Sequence, residues 1–385
     1  MQRAGQGHRQ RISALAMLRT VESRFYPELE GLRGIASLSV LIGHCYLHAF
    51  PTANYLGPDL AWLHTLIGGV FNPQPAVLLF FVLSGFVLGC QLERTPVRGP
   101  QDYAGYLLRR LFRLLPATWV SLVIALAFAY GIGYGDFRQF LKAAVLWDFT
   151  LNIVIWTMYI EVTGSILMPF MAQAASRGGA LLSAVVFGLL LLACILLQQP
   201  LALPFMVFFY AGLMVSYVPR SFIALMQGPA GLAAGAVAVV LYVWSPEIAA
   251  GEARDWLYWR WNNWMWLEIP ACFLLVYLVA QRRFAGVSKL LDTNVVRFLG
   301  RISFSLYLLH YPLLQFLTIK LAQWGYSPET VTSLGGRTLM FGFKAGIVLA
   351  LSVPLAWLSY TFVERPGIEM GRRLAGALAA RPRAA

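Results

Sequence analysis

About ten long apolar runs occur along this chain, and their length limits what it can fold into. A helix rises 1.5 Å per residue, so roughly 17 to 25 apolar residues cross a bilayer. Short polar or basic segments separate the runs. They predict an all-α integral membrane protein, a bundle of about ten transmembrane helices, at 31–50, 75–91, 114–135, 150–172, 180–198, 201–218, 229–245, 264–280, 302–323 and 339–363.

The composition excludes an ordinary soluble enzyme. Hydrophobic residues make up 59% of the 385 residues, charged residues make up 12%, and the mean hydropathy is +0.65. Soluble domains are closer to half apolar and a quarter charged. In a soluble chain the net charge of +13 would indicate nucleic acid as a partner. Here we interpret the charge as a topology signal, and we expect a lipid bilayer and no nucleic acid.

The placement of basic residues predicts which segments face the cytoplasm. Lys and Arg gather at the cytoplasmic ends of membrane spans, and most of the 30 basic residues fall in alternate loops and in both tails. Both termini are therefore predicted to be cytoplasmic. The first 24 residues hold five arginines and no long apolar core, which predicts that there is no cleavable signal peptide. The expected location is a bacterial inner (plasma) membrane. The short run 60–71 is predicted to be an interfacial or re-entrant piece. The predicted parts are a basic N-terminal tail, a membrane domain and a basic C-terminal tail, at 1–27, 28–366 and 367–385.

The four cysteines do not form a metal-binding pattern. They lie far apart in apolar segments, at Cys45, Cys90, Cys194 and Cys272. The chain has neither a CxxC pair nor a Cys/His spacing typical of a metal centre. Small buried hydrophobic side chains are the simplest interpretation, and no metal site is predicted.

Ionisable residues inside the apolar runs indicate where chemistry can take place. The stretch "ELEGLRGIASLSVLIGHC" has Arg33 at its cytoplasmic edge and His44 past its middle. Eleven residues are close to three helical turns, so the two share a face about 16 Å apart. Glu30 precedes Arg33 by a turn and can pair with it. Either Arg33 only marks the edge and His44 only bonds a neighbouring helix, or His44 is a general base on a hydroxyl. We favour the second.

Two further ionisable residues lie deep in later runs. Glu161 is near the centre of the fourth run, and His310 lies in the ninth. A carboxylate inside a bilayer is costly. We therefore interpret Glu161 either as the partner of an arginine or histidine on another helix or as a direct functional group. A carboxylate that orients His44 would be both.

A small-residue element in the second run has two interpretations. Ser84, Gly85 and Phe86 predict either a close contact between helices or backbone and hydroxyl contact with a ligand. The chain has no GxSxG elbow, so Ser84 is not proposed as a hydrolase nucleophile.

An arginine cluster precedes the third run. Arg109, Arg110 and Arg113 recur at helical spacing. They are consistent with a purely topological role, and they also predict a patch for phosphate groups, which guanidinium binds well. The chain has no Walker loop and no GxGxxG before a soluble helix, which argues against ATP and dinucleotides.

In their order along the chain, six short elements resemble the membrane-bound acyltransferases of acyltransferase family 3. The resemblance spans the whole chain. Two positions depart from the family pattern, because Val162 replaces a second acidic residue and Glu30 replaces an aspartate. The six elements are Arg33 with His44, Ser84 to Phe86, Arg109 to Pro116, Trp156 to Glu161, Ser303 to Pro312 with Tyr307 and His310, and Glu364 to Pro366.

The resemblance implies a ten-helix enzyme that moves an acyl group, by default acetyl, from acyl-CoA to a hydroxyl of a carbohydrate or glycolipid of the cell envelope. It implies that His44 is the general base or a transient acyl carrier, with Arg33 and Glu161 as catalytic partners. Acyl-CoA is then a co-substrate, and no permanently bound cofactor is implied. The arginine cluster and the Ser-Gly-Phe element would contact acyl-CoA. Structural or substrate-positioning roles would fall to Glu30, Trp156, Tyr307 and His310.

Two other function classes share some of these features. A transporter or flippase of a glycolipid or polysaccharide unit also has about ten spans and buried charges, but it does not need basic residues at a cytoplasmic mouth beside a buried histidine. A membrane anchor with no catalytic activity would bury Glu161 and His44 at an energetic cost that no function explains. The acceptor, the acyl chain and the oligomeric state stay open. The segment "DWLYWRWNNWMW" fits sugar stacking, and an interfacial tryptophan belt explains it more simply.

Overall fold

The computed structural model describes residues 26–51, 61–196, 202–250 and 265–379. Within these ranges the chain is helical and has no β-strand, which confirms the all-α prediction. Short 3-10 turns and one π-helical turn, Tyr360–Glu364, connect some helices. The helices are α1 Pro27–Ala49, α2 Ala61–Val70, α3 Gln74–Arg94, α4 Pro100–Gly131, α5 Phe137–Ala144, α6 Trp156–Leu196, α7 Met206–Met214, α8 Arg220–Gln227, α9 Pro229–Ala250, α10 Met265–Ala280, α11 Ala285–Leu291, α12 Asn294–Gln323, α13 Leu334–Ser359 and α14 Arg365–Ala379.

Within the described ranges, five helical segments are long and apolar enough to cross a membrane, or up to seven if each of two bent helix pairs is one span. The bent pairs turn by 88° and 87°. The protein is therefore a multi-pass membrane protein. The count of about ten spans and the orientation of the termini stay predictions. The five segments are Leu66–Arg94, Pro100–Gly131, Ile153–Gly178, Asn294–Gln323 and Leu334–Ala379.

Helix α4 begins well before the apolar run that predicted it. The predicted start was residue 114, whereas the helix starts at Pro100. Proline suits the first turn of a helix because it has no N–H to leave unpaired there. The arginine cluster therefore lies inside α4 rather than before it.

Two other boundaries also differ from the predicted ones. Helix α6 runs without a break through the predicted loop 173–179. Glycines in that stretch lower helix propensity, but they keep their backbone donors, so the ladder of hydrogen bonds can continue. Helix α13 continues through the π-helical turn into α14. Residues 367–379 of the predicted C-terminal tail are therefore helical.

Some predictions fall outside the described residues. They are the N-terminal tail up to residue 25, the aromatic segment up to residue 264, and the last residues, 380–385.

The chain divides into two compact units. The first unit comprises the described residues of Met1–Leu29, Leu78–Pro96 and Ile166–Asp292, and the second comprises those of Glu30–Val77, Val97–Ser165 and Thr293–Ala385. An aromatic core fills the first unit, where Phe81 and Phe209 stack with ring centroids 5.5 Å apart. In the second unit α12 packs against α13, and α4 packs against α14.

Helices α1 and α12 lie side by side in the second unit and run parallel. A Cβ atom on Gly34 would lie 2.6 Å from the Gly300 backbone nitrogen, and one on Gly300 would lie 2.1 Å from the Glu30 carbonyl oxygen. Glycine is needed for so close an approach of two backbones. Ten residues beyond each glycine stands a histidine, His44 or His310. The intervening seam residues recur at the three-and-four spacing of a coiled coil, as Gly34, Ser37, Leu41 and His44 on α1 and Gly300, Ser303, Tyr307 and His310 on α12.

Two hydrogen bonds from neighbouring side chains tie α12 to the start of α6. Pro312 has no N–H, so the Leu308 carbonyl one turn earlier lacks its helical donor. The Asn152 side-chain amide donates to that carbonyl at 3.1 Å. The Tyr307 hydroxyl donates to the Val154 carbonyl at 3.2 Å. The turn that leads into α6 is therefore fixed against α12.

Candidate active site

Two histidines from α1 and α12 form the centre of the candidate site. His44 Nδ1 lies 3.0 Å from His310 Nε2, and the two ring planes are inclined by 21° with centroids 5.2 Å apart, so the rings meet through these nitrogens. His310 Nδ1 lies 3.3 Å from the Leu306 carbonyl oxygen. His310 is fully buried, whereas His44 is partly accessible. Both ring nitrogens of His310 therefore contact protein atoms, whereas part of the His44 ring is accessible.

Tyr311 borders the histidine pair. Its ring meets the His44 ring edge-on with centroids 5.3 Å apart, and it meets the His48 ring at 5.8 Å. The His48 Nδ1 atom lies 3.3 Å from the Thr318 hydroxyl. Helix α12 thus supports two successive turns of α1, and His44 stands on the first of them.

Two buried cations hold the C-terminal end of α1. Lys344 Nζ donates to the His48 carbonyl at 3.1 Å, and Arg337 donates to the Ala49 carbonyl at 3.2 Å. The last carbonyls of a helix lack intrahelical donors and carry partial negative charge, which cations stabilise. These contacts from α13 fix the end of the helix that carries His44.

A buried ion pair joins α4 to α6. Arg110 Nη2 lies 3.2 Å from Glu161 Oε2, with side chains that are 11% and 10% exposed. Arg110 Nε also donates to the Ser165 hydroxyl at 3.0 Å. Two nitrogens of the Arg110 guanidinium are thus engaged inside the unit, and the role of Arg110 in phosphate binding stays a prediction. Glu161 has an arginine among its partners, as one of the two interpretations held.

Arg33 and Arg113, which are partly exposed, complete a larger group of charges around the buried pair. Both interact electrostatically with Glu161 and with Glu364. The Ser305 hydroxyl donates to Glu364 Oε2 at 3.1 Å, so this carboxylate is also held by α12. Three guanidinium groups face two carboxylates here, and Glu30, a weaker partner of Arg33, is balanced by Arg297, so one positive charge is in excess. We name this group the arginine–carboxylate cluster, and it consists of Arg33, Arg110, Arg113, Glu161 and Glu364.

The described part of the chain shows neither a metal cluster nor a disulfide near these groups. No three His, Cys, Asp or Glu side chains within it are arranged to hold a metal ion. Cys45, Cys90 and Cys272 are buried free thiols.

A comparison with known protein families assigns the chain. Residues 26–361 match the family model described as an acyltransferase domain, of acyltransferase family 3. The match covers well over half of the chain and includes both histidines and all three arginines of the cluster. The chain belongs to acyltransferase family 3. No curated protein and no solved structure matches the chain. Membership confirms the resemblance in the sequence and makes the protein a membrane acyltransferase.

Other residues that were predicted to position the site of this acyltransferase also lie in the second unit. Glu30 Oε2 lies 3.7 Å from Arg297 Nε, so Glu30 pairs with α12, and it also interacts electrostatically with Arg33, the partner that the sequence predicted. The Gly34–Gly300 contact accounts for this, because it brings α12 against the start of α1. Trp156 is the first residue of α6.

The Ser-Gly-Phe element lies in the first unit of the acyltransferase. A Cβ atom on Gly85 would lie 2.0 Å from the Phe209 carbonyl oxygen, so α7 fills the space beside this glycine. Phe86 is buried and meets the Tyr26 ring edge-on at 5.4 Å. Gly85 thus makes the helix contact that was one of the two interpretations. Contact of Ser84 and Phe86 with a ligand stays a prediction.

Sequence reasoning missed four contributions to the site. It identified both histidines without pairing them, and it gave no role to Asn152, Arg337 or Lys344. The equal interval from Gly34 to His44 and from Gly300 to His310 was a usable signal for the pairing. A lysine inside an apolar run was a signal for Lys344. Nothing in the sequence identifies Asn152 as the donor that replaces the missing N–H of Pro312.

Proposed function

We propose that this acyltransferase moves an acyl group, acetyl by default, from acyl-CoA to a hydroxyl of a carbohydrate or glycolipid of the cell envelope, in a bacterial inner membrane. The observation that carries the proposal is the partly accessible His44 ring held 3.0 Å from the buried His310 ring. An imidazole placed in this way suits a general base, and family membership supplies the class of reaction.

The chemical step needs one proton acceptor beside the acceptor hydroxyl. His44 takes the hydroxyl proton while the oxygen attacks the thioester carbonyl and forms the new ester bond. The carbon–sulfur bond breaks, and the leaving CoA thiolate receives a proton from the His44 imidazolium. The alternative in which His44 carries the acyl group transiently uses the same atoms in two steps.

The arginine–carboxylate cluster supports an anionic donor. Its excess positive charge lies between helices that span the membrane, where an unbalanced charge favours a bound anion. The phosphate groups of CoA fit this requirement, and guanidinium binds phosphate through paired hydrogen bonds. Arg109 and Arg113 are the candidates for direct contact, whereas Arg110 holds Glu161. Arg33 and Glu161 then act by arranging this charge.

Replacement of the proposed base tests the function. His44→Ala should lower acyl transfer by about 10³-fold or more, since general-base and nucleophilic contributions would be lost together. The measurement is mass spectrometry of envelope glycans and lipids, which identifies an ester mass that is present with the gene and absent without it. Each variant is then scored by that ester signal per amount of protein in the membrane.

The matched control is His48→Ala, one turn further along α1. This variant removes a histidine of similar surroundings and should keep most of the ester signal. Full activity of His44→Ala together with an inactive His48→Ala would show that His48, and not His44, is the base. That result would overturn the assignment.

A further inference from the structure

The contacts of His310 bear on a question that the proposed function leaves open, namely which nitrogen of His44 reacts. A neutral imidazole carries one N–H donor and one bare acceptor nitrogen, and the hydrogen bonds around it decide which is which. In the His44–His310 pair each ring nitrogen of His310 lies beside an identified protein atom, the Leu306 carbonyl oxygen or His44 Nδ1. Its protonation can therefore be deduced from the partners.

A backbone carbonyl determines where His310 carries its hydrogen. The Leu306 carbonyl oxygen can only accept, so the contact of 3.3 Å with His310 Nδ1 requires the hydrogen on Nδ1. In neutral His310, Nε2 is then the bare nitrogen. Because Nε2 lies 3.0 Å from His44 Nδ1, that atom of His44 must be the donor. The opposite arrangement would place a bare nitrogen against a carbonyl lone pair.

A second backbone contact agrees with this assignment. The His44 ring also interacts with the backbone of Val40. Val40 precedes His44 by one turn, as Leu306 precedes His310. Nδ1 is the ring nitrogen nearer to its own backbone, so a hydrogen on Nδ1 can serve both the Val40 backbone and His310.

We infer that His310 is a positioning residue which holds His44 in the form protonated on Nδ1, so that His44 Nε2 is the bare nitrogen that receives the proton of the acceptor hydroxyl. When Nε2 takes that proton, His44 becomes a cation whose Nδ1–H bond to His310 strengthens. His310 thus fills the place that a carboxylate fills in a hydrolase triad, without bringing a charge into the membrane. The tautomer of His44 follows from the hydrogen bonds alone, whereas the role of Nε2 as the base rests on the proposed function.

The surroundings supply no competing carboxylate in the described contacts of the pair. The ring neighbours are Tyr311 and Tyr307, and the nearby titratable groups on α1 and α13 are His48 and Lys344. None of these is a carboxylate that could take the Nδ1 hydrogen bond in place of His310.

The first test reads the tautomer without any reaction. Purified protein labelled with ¹⁵N-histidine gives long-range proton–nitrogen correlations that separate a protonated ring nitrogen from a bare one. The chain has five histidines, and the His44 signals are assigned as those lost in His44→Gln. We expect Nδ1 protonated and Nε2 bare in the unmodified protein. A His44 protonated on Nε2 would overturn the inference, whatever the enzyme transfers.

The second test uses two substitutions of His310 that differ in reach. The glutamine side chain places its carbonyl oxygen near the position of Nε2, whereas asparagine reaches only the position of Nδ1. His310→Gln should keep His44 protonated on Nδ1 and retain acyl transfer within about tenfold. His310→Asn and His310→Ala should lose roughly 10²-fold or more in turnover. The apparent KM for the acyl donor should not change.

The outcomes separate the two claims. Equal losses in the glutamine and asparagine variants, with both folded, would reduce His310 to a packing residue and reject the inference. The absence of any ester made by the unmodified protein would reject the proposed function, while the tautomer measurement would still decide the inference by itself.

Discussion

The described residues of the two units differ in how many ionisable side chains they bury. In the first unit, every residue from Met206 to Leu213 is buried, and aromatic rings fill the space around Phe81. Its Glu28–Arg282 pair has an arginine side chain that is 62% exposed. In the second unit, the Arg110–Glu161 pair is almost fully enclosed, and His310 and Lys344 are fully buried.

This difference shows which unit buries charged groups at a cost in stability. Burying an ion pair removes both charges from water, and the pair seldom adds net stability compared with apolar packing. The first unit is filled mostly by apolar contacts and buries only two charged side chains among its described residues, Glu28 and Glu268. The second unit keeps several charges and imidazoles inside, as expected of a region that is shaped for chemistry rather than for stability alone.

The largest expected effect comes from removing one member of the buried pair. Glu161→Ala leaves the Arg110 guanidinium buried without this carboxylate and should lower the free energy of unfolding by about 3 to 5 kcal/mol. The double variant Arg110→Leu with Glu161→Leu removes both charges and should recover much of that loss. Thermal unfolding in detergent provides the measurement. A single variant as stable as the double variant would contradict the role of charge burial.

Alanine at a glycine contact tests both units with the same kind of change. Gly300→Ala and Gly212→Ala each place a Cβ atom within about 2 Å of a carbonyl oxygen, of Glu30 and Val82 respectively. Each should cost about 1 to 3 kcal/mol through overpacking. Only Gly300→Ala should also reduce acyl transfer per folded molecule, because it separates α1 from α12.

Gly346→Ala is the matched control for the glycine variants. A Cβ atom there meets nothing within 4 Å, so the substitution should be neutral or stabilise helix α13 by up to about 1 kcal/mol. If Gly212→Ala reduced specific transfer as much as Gly300→Ala, the separation of roles between the units would be wrong.

A smaller effect is expected where Asn152 replaces a missing helical donor. Asn152→Ala should cost about 1 to 2 kcal/mol, since the Leu308 carbonyl would be buried without this donor. Pro312→Ala restores an N–H one turn after that carbonyl. In the Pro312→Ala background, Asn152→Ala should therefore cost less. Additive losses in this double-mutant cycle would show that the two residues do not share the carbonyl.

The smallest effect should come from an exposed ion pair in the same second unit. Glu369 and Arg373 lie one turn apart on α14, with their charged atoms 2.7 Å apart and side chains 63% and 75% exposed. Glu369→Ala should change the free energy of unfolding by about 0.5 kcal/mol or less. If Glu369→Ala lost as much stability as Glu161→Ala, burial of the ion pair could not explain the large effect of Glu161→Ala.

The sequence predicted the class of fold and the main chemical groups. Long apolar runs require helices because a bilayer offers no partners for backbone N–H and C=O groups. For the same reason, an ionisable residue inside a run such as His44 or Glu161 was conspicuous. Helix boundaries were less predictable, because Pro100 starts a helix among polar residues and α6 continues through its glycines.

Partners across helices could not be predicted from spacing within one helix. The interval between Arg109 and Arg113 places both on one face of α4, yet it does not indicate that Arg110 meets Glu161 on α6. The same limit separated His44 from His310, which are 266 residues apart. Such contacts depend on how helices cross, and the Gly34–Gly300 approach that sets one crossing is recognised only when both helices are considered together.

The equal interval from glycine to histidine on α1 and α12 also limits how this protein can change in length. A single residue inserted between Gly34 and His44 would rotate His44 by about 100° around its helix and carry it away from His310. An insertion of seven residues in one helix alone would restore the face but displace the ring by about 10 Å. Insertions and deletions in this stretch can therefore be tolerated only in matched heptads on both helices.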